Sequence, residues 1–340
     1  MGVNLAVVGV TGAVGTEMLK VLERRNFPVD TLRPLASRRS AGKGILFREK
    51  KLEVQELRED SFEGIDIALF SAGGTISRKF VPHAVESNCV VIDNTSAFRM
   101  DDDVPLVVPE VNSDKIADHN GVIANPNCST IQLVLVLKPL HDAVKIKRVV
   151  VSTYQAVSGA GLVAIEELKN ETEFLLNTRG AYERNVFPHQ IAFNILPQIP
   201  QSNAFMPNGY TEEEMKMIKE TRKILDDSSF RITTTTVRVP VFRCHSESVN
   251  IETRSKISAH EARIILSKAE GLIVLDDPTR QLYPLASSAA GKDETFVGRI
   301  REDESVENGL NLWIVSDNLL KGAALNAVQI AEKLLDKLST

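Results

Sequence analysis

Apolar residues recur in two rhythms along the first third of the chain. The runs "NLAVVGV", "LRPLAS", "GIDIALFSA" and "CVVIDNT" have strand length and strand composition, and between them "EMLKVLERR" and "KFVPHAVES" carry apolar residues at helical spacing. Strand alternating with helix predicts an α/β unit built on a doubly wound parallel sheet. That unit closes near "GVIANPNC". After it come the longer runs "KRVVVSTYQAV", "FRITTTTVRVPV" and "HSESVNIETRS", rich in Thr and Val, which predict a mixed or antiparallel sheet in a second, α+β domain. The boundary is placed at Asn127, giving domains over 1–127 and 128–318. "STIQLVLVLKPL" predicts a buried helix ending near Pro139. From about Asn170 to Asn208 the rhythm fades among Pro188, Pro197, Pro200 and Pro207, and a long irregular excursion is expected, suited to function or to a subunit contact. In the last stretch Leu320, Ala324, Ala327, Ala331, Leu334 and Leu338 fall at helical spacing, predicting a terminal helix over 319–340 that docks back on the first domain.

Composition narrows the function classes. At 340 residues, 43% hydrophobic and with a formal charge of −5, the chain is long enough for two cored domains and shows no overall basicity, so nucleic acid is not an expected partner. No apolar stretch approaches the roughly 20 residues that span a bilayer. The opening "MGVNLAVVGVTG" lacks a basic flank and is broken by Gly, so it reads as a buried strand rather than a signal peptide. The three cysteines, Cys89, Cys128 and Cys244, have no metal-type spacing and leave one unpaired in any disulfide scheme, which points to a reducing cytoplasm. The histidines are scattered, and no metal site is expected.

Immediately after the first strand stands "GVTGAVG", with Gly9, Gly12 and Gly15 leading straight into a helix. Glycine permits the tight turn and lets backbone approach a pyrophosphate, whose charge then rests on the helix N-terminus. With a strand before and a helix after, residues 1–127 read as a Rossmann-type dinucleotide-binding domain. An NAD-selective site places Asp or Glu about 20 residues beyond the glycines, on the ribose 2′-hydroxyl. This chain has "LASRRSAGK" there, and Ser37, Arg38, Arg39 and Ser40 offer cations and donors without a carboxylate, the set that suits the 2′-phosphate of NADP.

The stretch "ANPNCST" raises a different question. Pro126 forces a turn before the following helix, so Cys128 sits at or beside a helix N-terminus, where unpaired N–H groups and the helix dipole favour a thiolate. Taken alone it reads more readily as a small apolar residue in a buried turn.

Several stretches in order along nearly the whole chain, "GVTGAVGTEML", "DNTSAFRM", "NPNCST", "STYQAVSGAG", "EEMKMIKETRKI", "VRVPVFRCHSES" and "SDNLLKGAA", together resemble the aspartate-β-semialdehyde dehydrogenase family. The resemblance implies an NADP-binding Rossmann domain followed by a catalytic and dimerisation domain in a cytoplasmic homodimer. It implies NADPH-dependent reductive dephosphorylation of L-aspartyl 4-phosphate to L-aspartate 4-semialdehyde through a Cys thioester, in the biosynthesis of lysine and diaminopimelate, threonine, methionine and isoleucine. Carried onto this chain, Cys128 is the nucleophile, His245 the general acid/base and Gln155 a substrate-positioning amide, with Asn127 beside the oxyanion. Arg238 holds the substrate α-carboxylate, Glu213 its ammonium, and Arg99 and Lys216 its phosphate. Thr11, Gly12, Ala13, Val14, Arg39, Ser40, Ser158, Gly159 and Asn318 line the NADP site.

The chemistry is consistent with those residue types. A thiolate displaces phosphate from an acyl phosphate, and the thioester accepts hydride where a carboxylate does not. A guanidinium grips a carboxylate through two parallel hydrogen bonds, while an ammonium serves phosphate as a point charge. Glu213 and Lys216 share a helix face, but Glu214, Glu220 and Lys223 lie in the same charged run, so the register stays open by one turn. Other readings are a reductase for a different acyl phosphate, of N-acetylglutamyl or glyceraldehyde 3-phosphate type, a non-catalytic NADP-binding relative, and a Cys–His hydrolase.

Overall fold

A computed structural model describes residues 2–178 and 180–338; the last two positions of the expected terminal helix lie outside the described residues. The chain forms two compact units, one holding the residues up to Asn127 together with those from Gly322 onward, the other Cys128–Lys321.

The first unit contains β1 (Val3–Val8), β2 (Val29–Ala36), β3 (Gly44–Phe47), β4 (Lys50–Glu53), β5 (Gln55–Glu56), β6 (Ile67–Phe70), β7 (Val90–Asp93) and β8 (Val122–Ala124). Six of these form one sheet in the order β5-β2-β1-β6-β7-β8, every ladder parallel, while β3 and β4 pair as a separate hairpin. Leu5, Ala6, Val7 and Val8 are wholly buried, as a central parallel strand between two covered faces requires. Helix α1 (Ala13–Arg24) follows β1, α2 (Gly74–Glu86) follows β6, and the single turn α3 (Pro109–Asn112) precedes β8. Strand order reverses at β1, with β2 on one side and β6 on the other; in such sheets ligands bind outside the carboxyl ends at this point.

The second unit opens on α4 (Cys128–Val144) and continues through β9 (Ile146–Gln155), α5 (Leu162–Asn177), α6 (Glu212–Leu225), β10 (Arg231–Arg238), β11 (His245–Thr253), α7 (Ala259–Leu266), β12 (Leu272–Val274), α8 (Ala286–Ala289), β13 (Thr295–Asp303) and β14 (Gly309–Ser316). Its sheet runs β10-β9-β11-β14-β13-β12, with β9–β10 and β12–β13 parallel and the rest antiparallel, the mixed sheet expected. Helix α4 packs against β9, β11, β13 and β14, with α6 and α7 beside it. The opposite face of the sheet leaves Tyr154 and Trp313 half-buried and Ser248 exposed.

Two expectations about this unit need correction. The helix expected to stop near Pro139 runs through it to Val144. Proline removes one backbone donor, but Leu140 and His141 beyond it are buried, and His141 accepts the Ile146 N–H at 3.3 Å on Nδ1 and faces Asp227 through Nε2, so packing holds the last turn. The irregular excursion starts later than expected, because residues up to Asn177 belong to α5, which buries Ala164 and Leu168 one turn apart. Beyond it the chain is organised by that helix: Glu167 accepts the N–H groups of Asn185, Val186 and Phe187, and Glu171 those of Ile191 and Ala192. Phe187, Ile191, Ala192 and Leu196 then close an apolar cluster with Val157 and Leu168.

The chain returns to the first unit as α9 (Leu325–Leu338), which packs on α1, α3 and β7. Asn326 Nδ2 donates to Asn125 Oδ1 at 2.6 Å and to the Val107 carbonyl at 3.0 Å.

Candidate active site

In the first unit, the glycine loop has the shape a pyrophosphate needs. Gly9 lies at φ +84°, where only glycine is unstrained, and a Cβ at Gly15 would stand 2.3 Å from the Gly9 carbonyl oxygen. Gly12 is the N-cap of α1 and supplies no side-chain cap to the first-turn N–H groups that begin at Ala13 and Val14. The loop after β2 comes alongside: Thr11 Oγ1 donates to Ser40 Oγ at 3.5 Å. Ser37, Arg38 and Arg39 are exposed there, and Ser40 is buried. These residues fit a dinucleotide phosphate at the loop. Arg99, also in this unit, is buried with Nε on the Asn125 carbonyl and Nη2 on that of Asn94, clamping the ends of β7 and β8.

In the second unit, strand register assembles the chemistry. Gln155 on β9 pairs with Arg238 on β10, and Ser246 with Tyr154, so Arg238, Gln155 and His245 form a row across three strands at one end of the sheet. All three are buried. Gln155 Nε2 donates to Glu213 Oε1 on α6 at 3.3 Å, so Glu213 is the member of that charged run that touches the row. Glu214 is occupied otherwise, as the capping-box partner of Thr211 and the acceptor for the Thr236 N–H at 2.9 Å. Lys216 is not brought to the row; its Nζ lies 3.8 Å from Glu212.

The turn after β9 closes the row from above. Ala156 donates its N–H to His245 Nδ1 at 3.0 Å and accepts from Arg238 Nη1 at 2.7 Å. A Cβ on Gly159 would meet Arg238 Nη1 at 2.9 Å and His245 Nε2 at 3.4 Å, so glycine is what lets this turn sit on both side chains. Asn318 exchanges hydrogen bonds with Ser158 and accepts the Cys244 N–H at 2.9 Å. Cys244, at φ +77°, turns off the line of β11 just before His245. The backbone of Arg238 is itself held by the excursion, through paired bonds with Leu196 at 2.8 and 2.9 Å.

Electrostatics separate the candidates. Burial, and then Arg238, hold His245 well below the usual histidine range. With Nδ1 accepting from Ala156, its proton sits on Nε2, an atom buried without a hydrogen-bond partner among the described residues. Burial lowers the Arg238 pKa also, and the charges of Glu213 and Cys128 act in the opposite direction. Burial pushes the Cys89 and Cys244 thiols up to about 12, keeping them protonated. Cys128, at the first position of α4, is only partly buried. Among the described residues no group of three or more His, Cys, Asp or Glu is arranged to hold a metal ion, and no helix is long and apolar enough to cross a membrane.

Residues 4–119 match the family model described as semialdehyde dehydrogenase, NAD binding domain, and residues 137–321 the one described as semialdehyde dehydrogenase, dimerisation domain. The aspartate-semialdehyde dehydrogenase of Aquifex aeolicus is 56% identical over 338 residues, covering 98% of each chain. The chain belongs to the aspartate-semialdehyde dehydrogenase family. The crystal structure of aspartate semialdehyde dehydrogenase II complexed with ASA from Vibrio cholerae superposes with a TM-score of 0.95 at 51% identity, covering 99% of each chain. That of the Candida albicans enzyme with NADP gives 0.76 at 25% identity over 98% of each.

As a semialdehyde dehydrogenase, the chain is an oxidoreductase with a nicotinamide-dinucleotide domain at its N-terminal end. Two buried polar residues of the second unit escaped the sequence reading: Gln132, one turn after Cys128 on α4, and Glu247, two residues after His245 on β11. Their spacing from the thiol and the imidazole, four on a helix and two on a strand, was the available signal.

Proposed function

We propose that the chain is the NADP-dependent, phosphorylating aspartate-semialdehyde dehydrogenase that converts L-aspartyl 4-phosphate to L-aspartate 4-semialdehyde in cytoplasmic amino-acid biosynthesis. The observation that carries this reading is the row Arg238–Gln155–His245 with Glu213 hydrogen-bonded to Gln155, on the sheet against which the helix that begins at Cys128 packs. An amino acid's α-carboxylate and α-ammonium call for such a cation and anion side by side.

The Cys128 thiolate attacks the acyl carbon, the C–O bond to phosphate breaks with its electron pair, and phosphate leaves from an enzyme thioester. NADPH, when bound, supplies the hydride that reduces this thioester. Collapse of the resulting hemithioacetal oxyanion then breaks the C–S bond, releasing the aldehyde and restoring the thiolate. Oxyanions form on both sides of the thioester. His245, assigned the acid/base role, presents its Nε2 proton to that oxygen, with Asn127 assigned to help hold it. An anionic substrate at Arg238 offsets the guanidinium charge and raises the proton affinity of His245 toward the neutral range. Arg99 and Lys216 are assigned to phosphate. Gly9, Gly12, Gly15, Thr11, Ser37, Arg39 and Ser40, with Ser158, Gly159 and Asn318, are assigned to NADP, the exposed arginines meeting its 2′-phosphate. The family's dimerisation domain and the half-open face around Tyr154 and Trp313 favour a homodimer joined through that face.

Phosphate-dependent reduction of NADP by aspartate semialdehyde tests the proposal. Turnover is expected with this aldehyde, and Cys128→Ala is expected to abolish it while NADP affinity stays within about twofold. Turnover with a different aldehyde only, or full activity of Cys128→Ala, refutes it.

A further inference from the structure

Gln132 and Glu247 have no part in the chemistry above, yet both are fully buried. Glu247 shares a strand face with His245, and Gln132 shares a helix face with Cys128. Helix α4 packs on β11, and the two polar side-chain atoms of Gln132 and the two of Glu247 are buried without a hydrogen-bond partner among the described residues, with Gln132 near enough to act on the Glu247 carboxyl. The cross-strand neighbours of Glu247 are Thr153 and Ile314, which bring no cation. An ionised carboxylate buried without a counter-ion costs several kcal/mol, so the group stays protonated, and burial does push it well above the carboxylate range. A protonated carboxyl and a primary amide are complementary: the O–H donates to the amide oxygen while the amide N–H donates to the carbonyl oxygen.

We propose that Glu247 and Gln132 form a neutral acid–amide pair that ties the first turns of α4 to β11 and so fixes Cys128 against His245. Both are positioning residues, acting through the thiol and the imidazole. The inference rests on the roles assigned above to Cys128 and His245. In this arrangement the pair stabilises no substrate contact, so its loss acts on kcat and leaves KM nearly untouched.

Steady-state kinetics of the full chain with aspartate semialdehyde, phosphate and NADP test it through Glu247→Ala, Glu247→Gln and the exchange Gln132→Glu with Glu247→Gln. A displacement of about 1 Å at the thiol costs on the order of 100-fold. Glu247→Ala is therefore expected to lower kcat about 100-fold with KM changed less than about threefold. Glu247→Gln keeps a donor and a carbonyl acceptor for the same paired hydrogen bonds without charge and is expected to hold kcat within about threefold. The inference is overturned if folded Glu247→Ala retains full kcat, or if Glu247→Gln falls as far as Glu247→Ala, which would mean that an ionised carboxylate is needed. Should Glu247→Ala fail to fold, Gln132→Glu alone against the exchange decides: recovery of kcat in the exchange supports the pair, and equal loss in both overturns it. Absence of turnover in the unmodified protein would refute the proposed function and leave the pair to be judged by the thermal stabilities of the same variants.

Discussion

Glu247 and His245 stand two positions apart and respond to burial with opposite signs. The imidazole is kept neutral with its affinity for a proton lowered, and the carboxyl is kept neutral with its affinity raised. For Glu247 the folded state holds a proton that the unfolded chain releases near pH 4.5. Its stabilising contribution is therefore complete below that pH and is lost as pH rises toward the folded-state value. Glu247→Gln carries no such proton, so its melting temperature relative to the unmodified protein is expected to climb steadily from about pH 5 to pH 8; calorimetry across that range checks it, and a constant difference would show an ionised Glu247. For His245 the sign reverses, and stability falls as pH drops through about 6.5, where the unfolded imidazole takes up its proton. The residues legible in the sequence were those whose meaning is local. Gly9, Gly12 and Gly15 announce a turn by their spacing, and Pro126 announces the start of the Cys128 helix. Gly159 was named only through the family resemblance, because its physical reason, the pressure of Arg238 and His245 on any Cβ, exists only after three strands have met. Glu247 was missed because an acidic residue on a strand as polar as "HSESVNIET" reads as a solvent-facing position.

Elements fared differently according to what holds them. The strand–helix alternation of the first unit and the buried run of α4 were legible because apolar period reports burial directly. Pro139 misled because a backbone rule was applied where side-chain packing prevails. The stretch beyond Asn177 has no period to read, since its order comes from two carboxylates on α5 that gather backbone N–H groups up to 21 positions away. Glu171 is wholly buried and also pairs with Arg184 at 2.9 Å. Glu171→Ala leaves these donors unsatisfied and is expected to cost on the order of 3 kcal/mol, measured by urea denaturation. The loss should extend beyond stability: Leu196, at the end of the same cluster, holds the Arg238 backbone, so KM for aspartate semialdehyde is expected to rise by about tenfold. An unchanged KM would mean that Arg238 is held by β9 alone.

Across the whole molecule, two kinds of sheet serve two kinds of work. The parallel sheet collects loops at its carboxyl ends, the usual place for a dinucleotide, and this division into an α/β and a mixed unit was readable from the change of strand character along the chain. The face proposed for a dimer is not the one the sequence reading offered, which was the excursion, because an uncovered sheet face and a merely polar one look alike in sequence. Ser248, exposed opposite Trp313 and lining a cavity of about 290 Å³, lies on the face proposed for the dimer. Ser248→Arg would set two buried guanidinium groups near a two-fold axis and is expected to weaken the dimer at least tenfold by sedimentation, whereas an unchanged dimer would move the contact elsewhere, the excursion being the next candidate. The row on the other face has a consequence for assembly. Ala156 is joined to Arg238 and His245 across 82 and 89 positions of chain, and a one-residue slip in any of the three strands would turn its side chain to the wrong side of the sheet. Turnover is thus a vernier for strand alignment: a misregistered second unit could keep its helices and its compactness and still be catalytically silent.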